Sequence, residues 1–154
     1  MKKKILWVIL AVVVAFGGYY GWQFWGQYKQ YSYFQNLEKN YFRAMKGDTY
    51  GGKTPQETLD LFVAALKAGD ADLAAKYFAL DDNLSRQKWM DRLNDLKARG
   101  LLDDMAVDIE RNEFYKDTES GAKQFLIYNS DRTDSLIISL ILNAYSGVWK
   151  IESI

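Results

Sequence analysis

Acid or base chemistry on this chain falls to Asp, Glu, Lys and Tyr, because histidine and cysteine are both absent. Without histidine there is no His-based triad, His metal ligand or neutral-pH proton shuttle. Without cysteine there are no disulfides, thiol nucleophiles, thiolate metal sites or lipid-modified cysteine. The carboxylates gather as Asp81-Asp82, Asp103-Asp104 and the run Asp131 to Asp134. They lack the ligand spacing and the glycine of a calcium loop, and each sits where a cap or turn favours Asp, so no metal is expected. Trp89 and Trp149 are candidates for stacking on a ligand, but Trp149 alternates with Ile151 on one face of a strand and is expected to pack on helices. Asn83-Leu84-Ser85 matches the short N-glycosylation pattern.

The elements that position these residues begin with a strong helix start at Thr54-Pro55-Gln56-Glu57. Thr54 can cap, Pro55 loses nothing by lacking an N–H there, and Glu57 can close the capping box. Leu59, Phe62, Val63 and Leu66 follow at helical spacing, so one face must be buried. Gly69 can end this helix in a left-handed turn, and Asp70 can cap a second that carries Leu73, Tyr77 and Phe78 inward. A third helix is expected from Asp82 to Arg99, with Trp89, Leu93 and Leu96 on one side and Gly100 as its stop. Alternating β-rich runs then follow at Met105 to Phe114, Ala122 to Asn129, Leu136 to Tyr145 and Val148 to Ile154. Turn signals at Ser120-Gly121, Asp131 to Asp134 and Ser146-Gly147 separate them into a meander. The run Leu136 to Leu142 is apolar on nearly both faces and predicts a central strand. Helices first and sheet second is an α+β order.

Upstream, Lys2, Lys3 and Lys4 precede 24 positions, Ile5 to Tyr28, without a charged side chain. A helix over that stretch rises roughly 36 Å at about 1.5 Å per residue, enough for one membrane span. Ala15-Phe16-Gly17 offers a signal-cleavage site, but the apolar run continues through Tyr19, Tyr20, Trp22, Phe24 and Trp25, an aromatic cluster suited to a membrane interface. An uncleaved anchor over residues 1–28 is the preferred reading. The basic triplet sets the amino terminus in the cytoplasm and the later domain outside it, against a pull from Lys29, Lys39 and Arg43. The glycines of Gly17 to Gly21 carry a small-xxx-small spacing that allows two copies to pair as a homodimer, although glycine is also simply tolerated in such helices. A stalk and Gly-rich linker occupy residues 29–53: Phe34, Leu37, Tyr41 and Met45 fall near one face, and Gly47, Gly51 and Gly52 break the pattern. The stalk can lie on the membrane, pack on the domain or pair with a second copy.

Residues 54–154 are then one domain, about a hundred residues with room for a single core. The sequence is neutral overall, yet residues 1–50 carry seven Lys and Arg against two acids, and residues 51–154 carry thirteen against eighteen. The folded part is acidic and has no basic row for phosphates, which sets nucleic acid aside.

The stretches TPQETLDLFVAALKAGDADLAAKYF, SGAKQFLIYNS and GVWKIESI resemble the nuclear-transport-factor-2-like, cystatin-like superfamily, especially small extracytoplasmic bacterial members of unassigned function. The resemblance covers Thr54 to Ile154 and implies that the sheet, about four strands by the runs above, is antiparallel, strongly bent and wrapped around a long first helix, leaving a cone-shaped cavity. The early strand that many members place between the second and third helices is not evident. Enzymes, ligand binders and interaction modules all occur on this fold. Dehydratase-type members need a histidine, and an isomerase-like site needs a Tyr and two carboxyls in an apolar cavity, for which Asp108, Tyr128 and Tyr145 are the candidates. No motif surrounds them, and Asp108 on a solvent face with the tyrosines as sheet residues is preferred. The sequence therefore predicts a membrane-anchored domain that is not an enzyme, uses no cofactor, and binds a small apolar ligand or an envelope protein. A structural subunit of an envelope or secretion assembly is the alternative, and an Asp/Tyr cavity enzyme a third.

Overall fold

The computed structural model describes the backbone of residues 2–129 and 131–154, and their side chains apart from those of residues 2–13, 15 and 21–29. It divides into two compact units, Met1–Phe42 and Arg43–Ile154. The first is helical: α1 covers Lys2–Gly47, and its residues beyond Phe42 belong to the second unit. Among the described residues no helix is long and apolar enough to cross a membrane. The predicted span, Ile5 to Tyr28, falls largely on side chains outside that description. Farther along α1, Tyr31, Tyr33, Phe34, Leu37, Tyr41 and Phe42 are all exposed.

The second unit takes in residues 43–53, read from the sequence as stalk and linker. Helix α2 (Pro55–Lys67) starts as its capping residues dictate. Thr54 Oγ1 accepts the N–H of Glu57 at 3.1 Å, and Glu57 Oε2 reaches back one residue farther than expected, accepting the N–H of Lys53 at 2.7 Å. Gly69, at φ +66°, ends the helix, and Asp70 Oδ1 caps α3 (Ala71–Lys76) by accepting the N–H of Leu73 at 2.9 Å. The buried face of α2 is Leu59, Phe62, Val63 and Leu66, as the spacing requires.

Two boundaries differ from the sequence reading. Helix α4 is Gln87–Ala98 and does not begin at Asp82. Asp81 Oδ1 accepts the N–H groups of both Asn83 and Ser85 at 2.9 Å, and Leu84 stands at φ 57°, so the side chain closes a turn that a helix cannot continue. The run from Met105, expected as the first strand, is the helix α5 (Leu102–Glu110), and α2 to α5 supply four helices where three were expected. Leu102, Ala106 and Ile109 are buried at helical spacing, and Asp103 and Asp104 sit in the first turn where the helix dipole favours anions. Val107 and Ile109 are good strand formers, but the tertiary burial pattern prevails over that preference.

The sheet is an antiparallel meander in the order β1 (Glu113–Asp117), β2 (Lys123–Tyr128), β3 (Ser135–Asn143), β4 (Val148–Ser153). β3 is interior as predicted, pairing Phe125 with Ile138 on one side and Leu140 with Ile151 on the other. Its burial is confined to Ile138, Ser139, Leu140 and Asn143, while Leu136 and Ile137 are exposed. The core joins the inner sheet residues Phe125, Ile127, Ile138, Leu140 and Ile151 to the apolar faces of α2 to α5, so the unit is α+β with helices packed on the sheet. Trp149 is half-buried and packs against this cluster.

β4 is not left as an open edge. The N–H of Trp149 bonds Gly52 O at 2.9 Å, that of Ile151 bonds Tyr77 O at 2.9 Å, and that of Ala79 bonds Ile151 O at 2.7 Å. Buried Thr58 locks the same seam, accepting from Gly52 N at 2.9 Å with its hydroxyl 3.1 Å from Trp149 O. Gly51 stands at φ +142°, and a Cβ there would lie 2.3 Å from Trp149 O. Gly51→Ala is therefore expected to destabilise the protein by more than about 2 kcal/mol in a denaturant titration, and a change within ~0.5 kcal/mol would disprove the close approach.

Candidate functional site

Two features gather polar or titratable groups: a buried ion cluster and an apolar cavity. The cluster is centred on Lys150, whose place between Trp149 and Ile151 reads in the sequence as an outward strand position. It is 1% exposed. Its Nζ donates to Asp48 Oδ1 at 2.8 Å, Tyr50 O at 2.7 Å and Lys76 O at 2.6 Å. Asp48 is buried too, and its second oxygen accepts from the Arg86 guanidinium, whose Nε bonds Phe78 O at 2.5 Å. Burial, which disfavours the ammonium, lowers the Lys150 pKa from 10.5 to about 8; Asp48 holds it up by hydrogen bonding and attraction, and Arg86 pushes it further down. All three ammonium donors are used, so this lysine is a fastening and not a nucleophile. A companion anchor, buried Asn143, donates to Met45 O at 2.8 Å and accepts from Tyr145 N at 3.0 Å.

The cavity, 480 Å³ in volume, opens between α4, α5 and the inner face of the sheet. Its floor is Phe78, Leu93, Ile109 and Ile127, all buried, and its walls include Leu96, Leu101, Met105 and the terminal Ile154. An aromatic column runs into it from the core: Phe62 meets Phe78 edge-on at 5.4 Å, and Phe78 stacks on Trp89 at 4.1 Å. Trp89 is half-buried and lines the cavity, with the Arg92 guanidinium 5.9 Å from its ring. The polar rim comprises Arg92, Asp104, Asp108, Asn129 and Asp134, with Leu136 at the exposed lip. An apolar interior with few polar groups at the mouth suits an apolar body better than a charged one.

Of the residues singled out from the sequence, Asp108 reaches this cavity, but from a helix and not a strand, and it is paired with Arg111 at 3.2 Å. Tyr128 follows Ile127 on β2 and so points to the opposite sheet face, where the Arg132 guanidinium lies 5.4 Å over its ring. Tyr145 is exposed in the turn between β3 and β4. The three are not brought together. Asp81, Asp103, Asp104 and Asp131 serve turns and a helix start: Asp131 Oδ1 accepts from the Thr133 hydroxyl at 2.8 Å. Among the described residues no group of three or more Asp and Glu is placed to hold a metal ion. Asn83 lies exposed in the turn closed by Asp81.

Sequence reasoning missed Asp48, Arg86, Lys150 and Asn143. Asp48 lies in a glycine-bearing stretch that reads as linker, and nothing in the spacing of the four announces that they meet. Compared with known proteins, the chain matches no family model, no curated protein and no solved structure.

Unfolding returns Lys150 to an ordinary amine, so between pH about 8 and 10.5 the unfolded chain holds a proton that the native state has released. This group's contribution to stability therefore rises with pH across that window. Nitrogen-detected NMR of the lysine side chains should show one midpoint near 8, moved up by Arg86→Gln and down by Asp48→Asn. A single midpoint at the ordinary value for every lysine would refute the buried ammonium. Lys150→Met leaves Asp48 and two carbonyls short of a partner and should cost about 3–5 kcal/mol.

Proposed function

We propose that this chain is a single-pass membrane-anchored protein whose acidic domain stands outside the cytoplasm and binds a small apolar molecule in the cavity between α4, α5 and the sheet. The observation that carries the reading is the cavity itself: 480 Å³, floored by buried aliphatic and aromatic side chains and backed by the Phe62, Phe78 and Trp89 column. A volume of this order is in the range of small-molecule sites. The order of helices before an antiparallel meander is in keeping with a nuclear-transport-factor-2-like, cystatin-like domain over residues 54–154. Binding without catalysis is favoured because Asp108 is alone at the cavity among the three isomerase-type candidates, paired with Arg111 and without a lining Tyr.

The anchor is the uncharged run Ile5 to Tyr28 behind Lys2 to Lys4, with the amino terminus cytoplasmic. A second reading, a subunit of an envelope assembly, is favoured by one observation: Tyr31, Tyr33, Phe34, Leu37, Tyr41 and Phe42 all stand exposed along α1. Such a stripe suits a protein partner or a second copy.

Small phenyl or aliphatic compounds should shift the Trp89 signal in a protein labelled with fluorotryptophan. Leu136→Trp, at the exposed lip, should weaken that binding at least about fivefold without moving the unfolding midpoint, and unchanged affinity would place the ligand elsewhere. Protease added to spheroplasts should digest the domain after Tyr28; protection in intact spheroplasts would reverse the orientation.

A further inference from the structure

The rim of the cavity carries three carboxylates, Asp104, Asp108 and Asp134, against a single guanidinium, Arg92. Their engagements differ. Arg92 sits 5.9 Å from the Trp89 ring, and Asp108 is paired with Arg111 at 3.2 Å. Among the described residues, Asp104 and Asp134 have no Lys or Arg within ion-pair distance. Asp104 and Asp108 stand one turn apart on α5, so two like charges share one helix face at the mouth, an arrangement that costs stability in an isolated helix. Asp134 comes to the same mouth from the segment just before β3. The interior behind them is apolar and holds no cation: Phe78, Leu93, Ile109 and Ile127 form its floor.

We infer that the occupant is a cationic amphiphile, an apolar body seated on the aromatic and aliphatic floor with an ammonium or guanidinium head held at the mouth by Asp104 and Asp134. This rests on the cavity being a binding site. It adds the sign of the head group, which the apolar floor alone does not fix. Two carboxylates near a cationic head attract it, repel an anionic one, and exert no net charge–charge force on a neutral one, so selectivity for charge arises at the rim while the apolar contribution arises at the floor. Because the rim is open to solvent, the preference must fade as salt screens it.

Three ligands with one phenylbutyl body and different heads (trimethylammonium, hydroxyl, carboxylate) separate these terms when titrated into the full-length protein in lipid nanodiscs, with the fluorotryptophan signal of Trp89 as readout. The ammonium compound should bind about tenfold more tightly than the alcohol at low salt, and the carboxylate more weakly than either. Asp104→Asn with Asp134→Asn, both exposed positions, should abolish the preference for the ammonium compound over the alcohol when both are titrated into the variant. Equal binding of all three, or a preference for the carboxylate, overturns the cationic head and leaves the cavity as a site. If none of the three shifts Trp89, the cavity reading itself falls, and the head-group assignment with it.

Discussion

The burial of one ammonium ties the segment after α1 to the last strand and to the end of α3. Lys150 belongs to β4, yet its three donors reach Asp48 and Tyr50, in the segment that follows α1, and Lys76 at the end of α3. Through Asp48 the cluster extends to Arg86, just ahead of α4, and from Arg86 to the Phe78 carbonyl. Stretches far apart in sequence therefore meet at a single carboxylate. Taking charges out of water is costly, and here both Asp48 oxygens and all three Lys150 donors find partners. A buried ion group fixes one geometry sharply, since any slip leaves a charge unpaired.

The same cluster borders the covered edge of the sheet. Residues 48–52 close over one side of β4 and seal its edge together with Tyr77 and Ala79. The inner face is left to the helices, and where α4 and α5 diverge from β2 and β3 the apolar floor remains uncovered. Phe78 links the two regions, because its carbonyl is held by Arg86 while its ring stacks on Trp89. The floor of the cavity is thus fixed from behind by the ion cluster.

Much of the frame was legible in the sequence because local chemistry and tertiary need agree there. Thr54, Glu57, Gly69 and Asp70 mark helix ends by local chemistry that any helix requires, the strand at Lys123–Tyr128 carries the alternation of a half-buried sheet, and the continuous apolar run in Ser135–Asn143 marks an interior strand. The first strand was misplaced because Val107 and Ile109 favour strands while their spacing with Leu102 and Ala106 favours a helix, and burial against α2 settled the contest. Lys150 was illegible for a different reason. A lysine flanked by apolar residues on a strand ordinarily faces water, and only the arrival of Asp48 from a hundred residues away makes its burial possible. The cavity stands between these cases: the spacing of Trp89, Leu93 and Leu96 marks one apolar face, and only the resemblance, not the spacing, implies that part of it stays uncovered.

The seam between Gly52 and Trp149, with the Asp48 to Lys150 bond 102 residues apart in sequence beside it, has a kinetic side. A contact of that span closes a loop containing nearly the whole domain, and loop closure must be met before the contact returns any stability. The helices α2 to α5 and the meander have short-range partners and can assemble first. The segment after α1 bonds Thr58 and Arg86 nearer in sequence, but its bonds to β4 span the longest loop. Closure at Lys150 is therefore expected late in folding.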